Sequence, residues 1–465
     1  HGEDPEALAF QEAMLAHLAV ADPGLPVPRL IARRDGALSG TVDSSDGRSH
    51  AVRLVSYLPG EAMADARGDH ATLRDLGRVL GRLDRALLSF GHAGAMRTFD
   101  WDIRQTPRAR ARLAAIRDAG DRARVADILD AYDSRVAPAL ARLPHQVIHN
   151  DANDWNLLVD AAGRVSGVID FGDALFSPRV ADVAVALAYA MMERDDPILA
   201  GAELVAGYHA EHPLSDLEFA LLPDLIAARL AISVSLSSER AALAADNPYL
   251  SVSERGAFRL IETLARQDRH IVTGIFRKAA GLEAAPGAER VKAWLAAHRN
   301  RLAPLMQPHP ARAEKHVLKL ADLNDPLVAA SRTQDLARAA ALYAAEMEAA
   351  GAELGMGPWG EVREVYAAPF FASKLIAGER RKMHLGLDIF APAGTVLTAP
   401  LQGRVVGLAI NPDPLDYGGL IVLEHEPEPG LVFRTLWGHL AHASIERLSL
   451  GQMIAAGEEV ARLGD

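Results

Sequence analysis

Residues 145–173 read HQVIHNDANDWNLLVDAAGRVSGVIDFGD. His149-Asn150-Asp151 is followed by Asn156 and, beyond a turn, by Asp170-Phe171-Gly172. The apolar runs Val147-Ile148, Leu157-Leu158-Val159 and Val168-Ile169 have the length of short buried strands, and Gly163 with the alanines before it supplies a turn. Strands of this kind would hold the three polar side chains at their ends. Phosphoryl transfer needs one carboxylate to orient a hydroxyl nucleophile and accept its proton. It also needs two oxygen ligands that hold Mg²⁺ against the nucleotide phosphates. Asp151 suits the first role, and Asn156 with Asp170 the second. Singly, each is an ordinary turn residue; in this order they predict a kinase.

The segment resembles the catalytic core of the aminoglycoside phosphotransferase and choline kinase superfamily, similar in fold to protein kinases. There H-x-D-x-x-x-x-N precedes I-D-[FW]-[GE]. Here the motif stands as His149-Asn150-Asp151 to Asn156, then Ile169-Asp170-Phe171-Gly172-Asp173. Three more stretches look like the hydroxylysine kinase group: VRLVSYLPG at 52–60, FDWDI at 99–103 and DFGDALFSPRVADVAVALAYAMM at 170–192. The resemblance covers nearly all of residues 1–300. It implies ATP or GTP with Mg²⁺, a strand at 52–60 that docks the purine, and an Asp182 that braces the catalytic loop. It also implies that Glu12, on a helix over 5–21, pairs with a phosphate-binding Lys. The Lys strand and Gly-rich loop of that family would precede this helix, so the reading is of a segment from a longer polypeptide with an incomplete N-lobe.

Length and composition set the frame around this motif. A chain of 465 residues is too long for one core, so two or three domains are expected. The net charge of −12 and the lack of any Lys/Arg block argue against nucleic acid or an anionic membrane as partner. With no Cys, disulfides and thiolate metal sites are excluded. The longest apolar run, near 180–192, is interrupted by Asp182 and reads as a buried helix rather than a membrane span. No export signal is visible, but the sequence starts at His1 without a Met, so targeting is not read from that absence; the compartment expected for the kinase is the cytoplasm.

Asp4-Pro5 opens a helical pattern over 5–21, and RRDGA and SSDGR read as hairpin turns. Residues 70–145 and 180–300 carry helical periodicity and predict a helical lobe. The Pro- and Ala-rich stretches GLEAAPGAERVK and PLMQPHPARAEKH place a domain end near 303, and RTQDLARAAALYAAEMEAAG at 332–351 reads as a linker helix. The expected architecture is multidomain. An α+β protein-kinase-like domain over 1–303 has a partial N-lobe and a helical C-lobe. A linker with a helix spans 304–355, and a small all-β domain spans 356–465.

The last hundred residues carry a second pattern. His384 stands four before Asp388, on one face of an extended segment, so the two could offer N and O ligands to one ion. Around them run A-P-x-G-T, G-x-V, Y-G-G, W-G-H-L and G-Q-x-x-x-x-G. This order resembles the LytM-type zinc endopeptidases of peptidase family M23. The resemblance implies zinc on His384 and Asp388, with a third ligand from a downstream H-x-H, and a catalytic His439. The set within this chain is incomplete, and His425 and His442 read as surface histidines. Bacterial relatives join such a kinase to a LytM-like domain and a pyridoxal-phosphate enzyme of the aminotransferase type, a possible fused partner.

The reading is of a phosphotransferase that moves the terminal phosphate of ATP or GTP to a small amino alcohol, hydroxylysine- or ethanolamine-like. Asp154 and Asp173 are candidates to hold its ammonium or, equally, to cap turns. The alternatives are a zinc endopeptidase acting on peptidoglycan peptides and a non-catalytic LytM-like scaffold.

Overall fold

The computed structural model describes residues 5–464 other than 46, 67, 244–249, 323, 334, 365, 367–370, 373–379, 381 and 412–415. Its contacts divide the chain into two units, 1–286 and 287–465.

The first unit opens with α1 (Pro5–Ala21), then a hairpin of β1 (Ser39–Asp43) and β2 (Ser49–Arg53) closed by the SSDGR turn. Gly47 takes a positive φ there, and Ser44 N–H bonds the Arg48 carbonyl at 2.8 Å. Short β3 (Glu61–Ala62) leads to α2 (His70–Leu87). Asp69 caps α2 by accepting from Thr72 N–H at 2.9 Å, and Leu73, Leu76, Leu80, Leu83 and Leu87 bury one stripe of it. After α3 (Ala119–Ala131) come β4 (His145–Ile148), β5 (Leu157–Val159), β6 (Val165–Val168) and β7 (Leu175–Pro178). β4 pairs with β7, and β3, β5 and β6 form an antiparallel sheet. The opening stretch of sequence is therefore a run of strands whose loops emerge at one another's ends.

Helices α4 (Val180–Ala190), α5 (Pro197–Glu211), α6 (Asp216–Leu243), α7 (Leu250–Ala265) and α8 (Arg269–Ala279) complete this unit. The longest apolar helix is α6, not the 180–192 segment. Its length and composition would suffice to cross a membrane, but most of its apolar stretch is buried inside the unit. It also contains Pro223, Asp224 and Arg229. Asp224 is paired with Arg135 and Arg269, as a polar group in a protein core must be.

In the second unit, α9 (Ala288–His298), β8 (Lys315–Val317), α10 (Pro326–Arg332) and α11 (Leu336–Ala350) precede the strands. Asp335 caps α11 and Gly351 ends it in the left-handed conformation. β9 (Leu354–Gly357) pairs parallel with β8 and antiparallel with β10 (Asp388–Phe390). Then follow β11 (Val396–Thr398), β12 (Gly403–Ile410), β13 (Gly419–His425), β14 (Phe433–Leu440), α12 (His442–Ile445), β15 (Met453–Ile454) and β16 (Glu459–Arg462). The main sheet has the order β14-β13-β12-β15, and β11 pairs with β16. Val405, Ile421, Leu423, Leu440, Ile454 and Val460 fill its core.

In the first unit, α2 and α5 cross at glycines. A Cβ on Gly207 would collide with the Arg74 carbonyl, and one on Gly77 with that of Leu204. This approach seats Asp84 and Tyr208 beneath the β4 loop. Gly207→Ala is therefore expected to destabilise the protein by about 1–3 kcal/mol, read as a lower urea midpoint at unchanged m.

Candidate functional site

β4 delivers His149, Asn150 and Asp151 into a tight turn. Asn150 has φ +66°, the left-handed region that Asn tolerates better than most residues. Its backbone N–H is taken by Asp182 Oδ1 at 2.5 Å. Neither atom of its side-chain amide finds a partner among the described residues, so the residue serves the backbone angle. His149 is fully buried. Its Nδ1 accepts Asp151 N–H at 3.2 Å, which leaves the proton on Nε2 to bond the Ile169 carbonyl at 3.0 Å. Phe171 meets the imidazole edge-on at 4.7 Å between centroids. His149 thus ties the β4 loop to the loop that carries Asp170.

The Asp151 carboxylate is held from three sides. Oδ1 accepts from Asn153 Nδ2 at 3.0 Å and from Arg229 Nη2 at 3.3 Å, while Oδ2 accepts from Asn156 Nδ2 at 2.7 Å. A carboxylate offers about four lone-pair positions, so Oδ2 keeps one for a further donor. Asn156 Nδ2 also bonds the Asp151 carbonyl at 2.9 Å, which fixes its amide and leaves Oδ1 as an available oxygen. Asp170, at φ +58°, uses Oδ1 to accept Gly172 N–H at 3.1 Å and is exposed. The Ile169 amide bonds the Asn156 carbonyl at 2.9 Å, so Asp170 emerges next to Asn156. Two hard oxygen donors side by side suit a Mg²⁺-like cation.

Arg229 reaches this site from α6 and is 2 % exposed. Its Nη1 donates to the Trp101 carbonyl at 2.9 Å, and its guanidinium lies over the Trp101 ring at 4.6 Å. Asp173 is half-buried beside it. Burial pushes its carboxyl above the usual range, the Asp151 charge adds to this, and Arg229 and Arg97 partly offset it. A cleft of about 290 Å³ opens alongside. Leu15, Pro28, Val55, Leu58, Leu158 and Phe171 give it apolar walls, with Arg53 and Asp170 as charged lining. The 52–60 segment supplies Arg53 and residues 55–58 of that lining. Glu12 sits half-buried on α1, with no ion pair to a described residue.

Beneath the loop lies a second pair of acids. Tyr208 Oη donates to Asp84 Oδ2 at 2.5 Å, and Asp84 and Asp182 are both fully buried. Burial and the Asp182 charge push Asp84 well above the usual carboxylate range. Burial raises Asp182 as well, against the pull of the Asn150 and His149 amides.

The profile of the Phosphotransferase enzyme family matches residues 1–217, and that of Peptidase family M23 matches residues 382–465. Hydroxylysine kinase of Mus musculus is 28% identical over 278 residues, spanning 56% of this chain and 73% of the relative. Homoserine kinase of Gluconacetobacter diazotrophicus is 32% identical over 238 residues, spanning 48% of this chain and 67% of the relative. The chain belongs to the phosphotransferase enzyme family. Its N-terminal part is a small-molecule kinase. Among solved structures, amicoumacin kinase hAmiN with AMP-PNP, Ca²⁺ and Ami aligns with TM-score 0.45 and 15% identity, covering 58% of this chain and 81% of that one.

In the second unit, the M23 region places its motif residues differently. His384 Nε2 lies 3.4 Å from Asp388 Oδ1, so these two are brought together. No hydrogen bond, ion pair or ring contact joins His439 to either among the described residues. His439 is exposed at φ +56°, with the Tyr417 ring 6.3 Å away. His425 is not a surface histidine. It is 1 % exposed, with Nδ1 at 2.9 Å from the Gln402 carbonyl and Nε2 at 2.9 Å from Thr435 Oγ1. The pattern left its alternation unread: β13 buries every second residue, and His425 falls on the inner face. His442 is exposed at the start of α12. Family M23 implies zinc, and these residues do not fit it. Asp388 Oδ2 is bound at 2.7 Å by the Arg363 guanidinium. No group of three His, Cys, Asp or Glu able to hold a metal occurs among the described residues.

Sequence reading missed Asn153, Arg229 and the Asp84–Tyr208 support. Asn153 was findable: an Asn two after an Asp is an Asx-turn former, and its Oδ1 accepts Trp155 N–H at 2.9 Å. Arg229 gave no signal, since it stands alone in an apolar helix. The raised Asp84 has a pH consequence. The protonated form is the one the fold favours. Its contribution is complete below the ordinary carboxylate range and is lost as pH rises through the raised folded value. Asp84→Asn, neutral at every pH, is expected to flatten the decline of Tm between mildly acidic and mildly alkaline buffer, measured by thermal unfolding.

Proposed function

We propose that the kinase unit transfers the terminal phosphate of ATP or GTP to the hydroxyl of a small amino alcohol, of the hydroxylysine or ethanolamine kind. The observation that carries this is the environment of Asp151. Its carboxylate is oriented by Asn153, Asn156 and Arg229, yet Oδ2 retains a lone pair for one more donor. A substrate hydroxyl on that oxygen gives up its proton to Asp151 while its oxygen attacks the terminal phosphorus. The bond to the bridging oxygen breaks, and the nucleoside diphosphate departs. Asn156 and Asp170 would hold Mg²⁺, which neutralises charge on the phosphates when bound. Little covalent chemistry is asked of the protein; alignment supplies much of the rate.

The amine part of the proposal rests on Asp173. Burial raises the half-buried Asp173 carboxyl and the neighbouring Asp151 charge adds to it, so a cation beside it would be favourable. An ammonium close to the reacting hydroxyl would provide one. The similarity to a hydroxylysine kinase and a homoserine kinase supports this, since each of those named compounds carries both a hydroxyl and an ammonium. The apolar cleft beside Asp170 is suited to a purine. Glu12 remains a candidate partner for a phosphate-binding cation, and the cytoplasm is the compartment that supplies nucleotide.

Two substitutions test the reading against a panel of amino alcohols, hydroxy amino acids, aminoglycosides and choline. Asp151→Asn should lower kcat by roughly 10²–10⁴-fold with nucleotide affinity preserved; wild-type turnover in this variant removes the assigned base. Asp173→Asn should raise KM for the amine acceptor about 10- to 100-fold and leave the nucleotide KM alone. An unchanged acceptor KM would send the ammonium elsewhere.

A further inference from the structure

The second unit places a cation of its own where the motif of the M23 family would bind one. Arg363 is 5 % exposed. Its Nη1 lies 2.7 Å from Asp388 Oδ2 and donates to Tyr366 Oη at 3.2 Å, and its Nε donates to Glu361 Oε2 at 3.1 Å. The other oxygen of Asp388 faces His384 Nε2 at 3.4 Å. Both oxygens of the motif's carboxylate are therefore engaged from within the unit.

The backbone is built to receive this arginine. Residues 360–364 run antiparallel beside the motif: Arg363 N–H bonds the Lys382 carbonyl at 2.7 Å, His384 N–H the Glu361 carbonyl at 2.8 Å, and Gly360 N–H the His384 carbonyl at 2.7 Å. On the other side Gly357 stands opposite Asp388 in the β9–β10 pairing. A Cβ there would strike Arg363 Nη2 and press on the Asp388 side chain, so the missing side chain is the space the guanidinium occupies.

From this we infer that Arg363 takes the place of a metal ion at His384 and Asp388, and that the M23 region of this chain is a metal-free, non-hydrolytic module. The guanidinium supplies the positive charge the carboxylate requires. A divalent ion reaching Asp388 would have to displace a buried guanidinium and leave it with Glu361 as its carboxylate partner, which carries a penalty. His384 then stands beside the ion pair, its Nδ1 buried and without a partner among the described residues. This inference is independent of the kinase reading.

The test is titration of the full 465-residue chain with Zn²⁺, and with Co²⁺ as an absorbing probe, in the wild type, His384→Ala and Arg363→Met. Methionine keeps the apolar stem and removes the charge. The wild type should show no zinc binding that His384→Ala removes. Arg363→Met should bind on the order of 100-fold more tightly than the wild type, with a Co²⁺ spectrum that depends on His384. One equivalent of zinc held by the wild type below about 1 µM and lost in His384→Ala overturns the inference, since a catalytic-type site would then exist. So does a folded Arg363→Met that binds no better than the wild type, because the arginine would not be what excludes the ion. If that variant does not fold, the wild-type and His384→Ala comparison alone decides the question in the same two directions.

Discussion

Asn150 holds its left-handed angle because the Asp182 carboxylate, placed 32 residues later on α4, takes its backbone N–H. That bond turns the chain so that Asp151 leaves the end of β4 pointing away from the core, where a strand residue would otherwise alternate inward. Asp182 is fully buried, and its charge together with burial pushes Asp84 well above the usual carboxylate range. Asp84 is in turn positioned by Tyr208 across the glycine-mediated crossing of α2 and α5. Losing the Asp182 acceptor would leave the buried Asn150 N–H unmatched, at a cost of roughly 1–3 kcal/mol. The order of dependence runs from helix packing, to a pair of buried acids, to a backbone angle, to the carboxylate in the kinase site.

The charges at that site do not balance among themselves. Asp151, Asp170 and Asp173 converge, and the cations facing Asp173 are Arg97 and Arg229. Arg97 is partly occupied by the Gly172 carbonyl, and Arg229 by the carbonyl of Trp101. Burial raises Asp173 first, and the Asp151 and Asp170 charges add to it. A divalent ion of the kind phosphoryl transfer requires is a cation that would offset this convergence of carboxylates.

Much of this was legible in residues 145–173, because that stretch is local. Strand lengths, a glycine turn and the order of three polar residues all lie within one short segment, and the structure brings Asp151, Asn156 and Asp170 together through β4, β5 and β6. The helix expected over 332–351 forms at Leu336–Ala350, and it and the hairpin over 39–53 rest on local signals, as Asp335, Gly351 and Gly47 do their work within a turn of the chain. What was not legible depends on tertiary approach. Arg229 is 78 residues from Asp151 in an apolar helix, where periodicity reads it as an interruption of core. The proton on Asp84 has no signature in a helix whose other buried positions are mostly leucine. His425 reads as surface only if its strand is not recognised, and its burial follows from alternation once β13 is in place.

The two motif aspartates show how far a motif can be separated from its use. Asp151 and Asp388 each sit at the head of a recognisable pattern, and each is touched by a buried arginine. Arg229 approaches Asp151 at 3.3 Å, with Nη1 committed to a backbone carbonyl and the plane stacked on Trp101. It orients the carboxylate and leaves one oxygen position open. Arg363 approaches Asp388 at 2.7 Å, braced by Glu361 and Tyr366, while His384 faces the remaining oxygen. Each Asp388 oxygen therefore has a neighbour from within the unit, and the nearer of the two is a cation. A charge-assisted bond of that length to a buried guanidinium is strong, and a metal ion would have to compete with it. The identity of the motif residues is the same kind of evidence in both units; the placing of the neighbouring arginine is what differs.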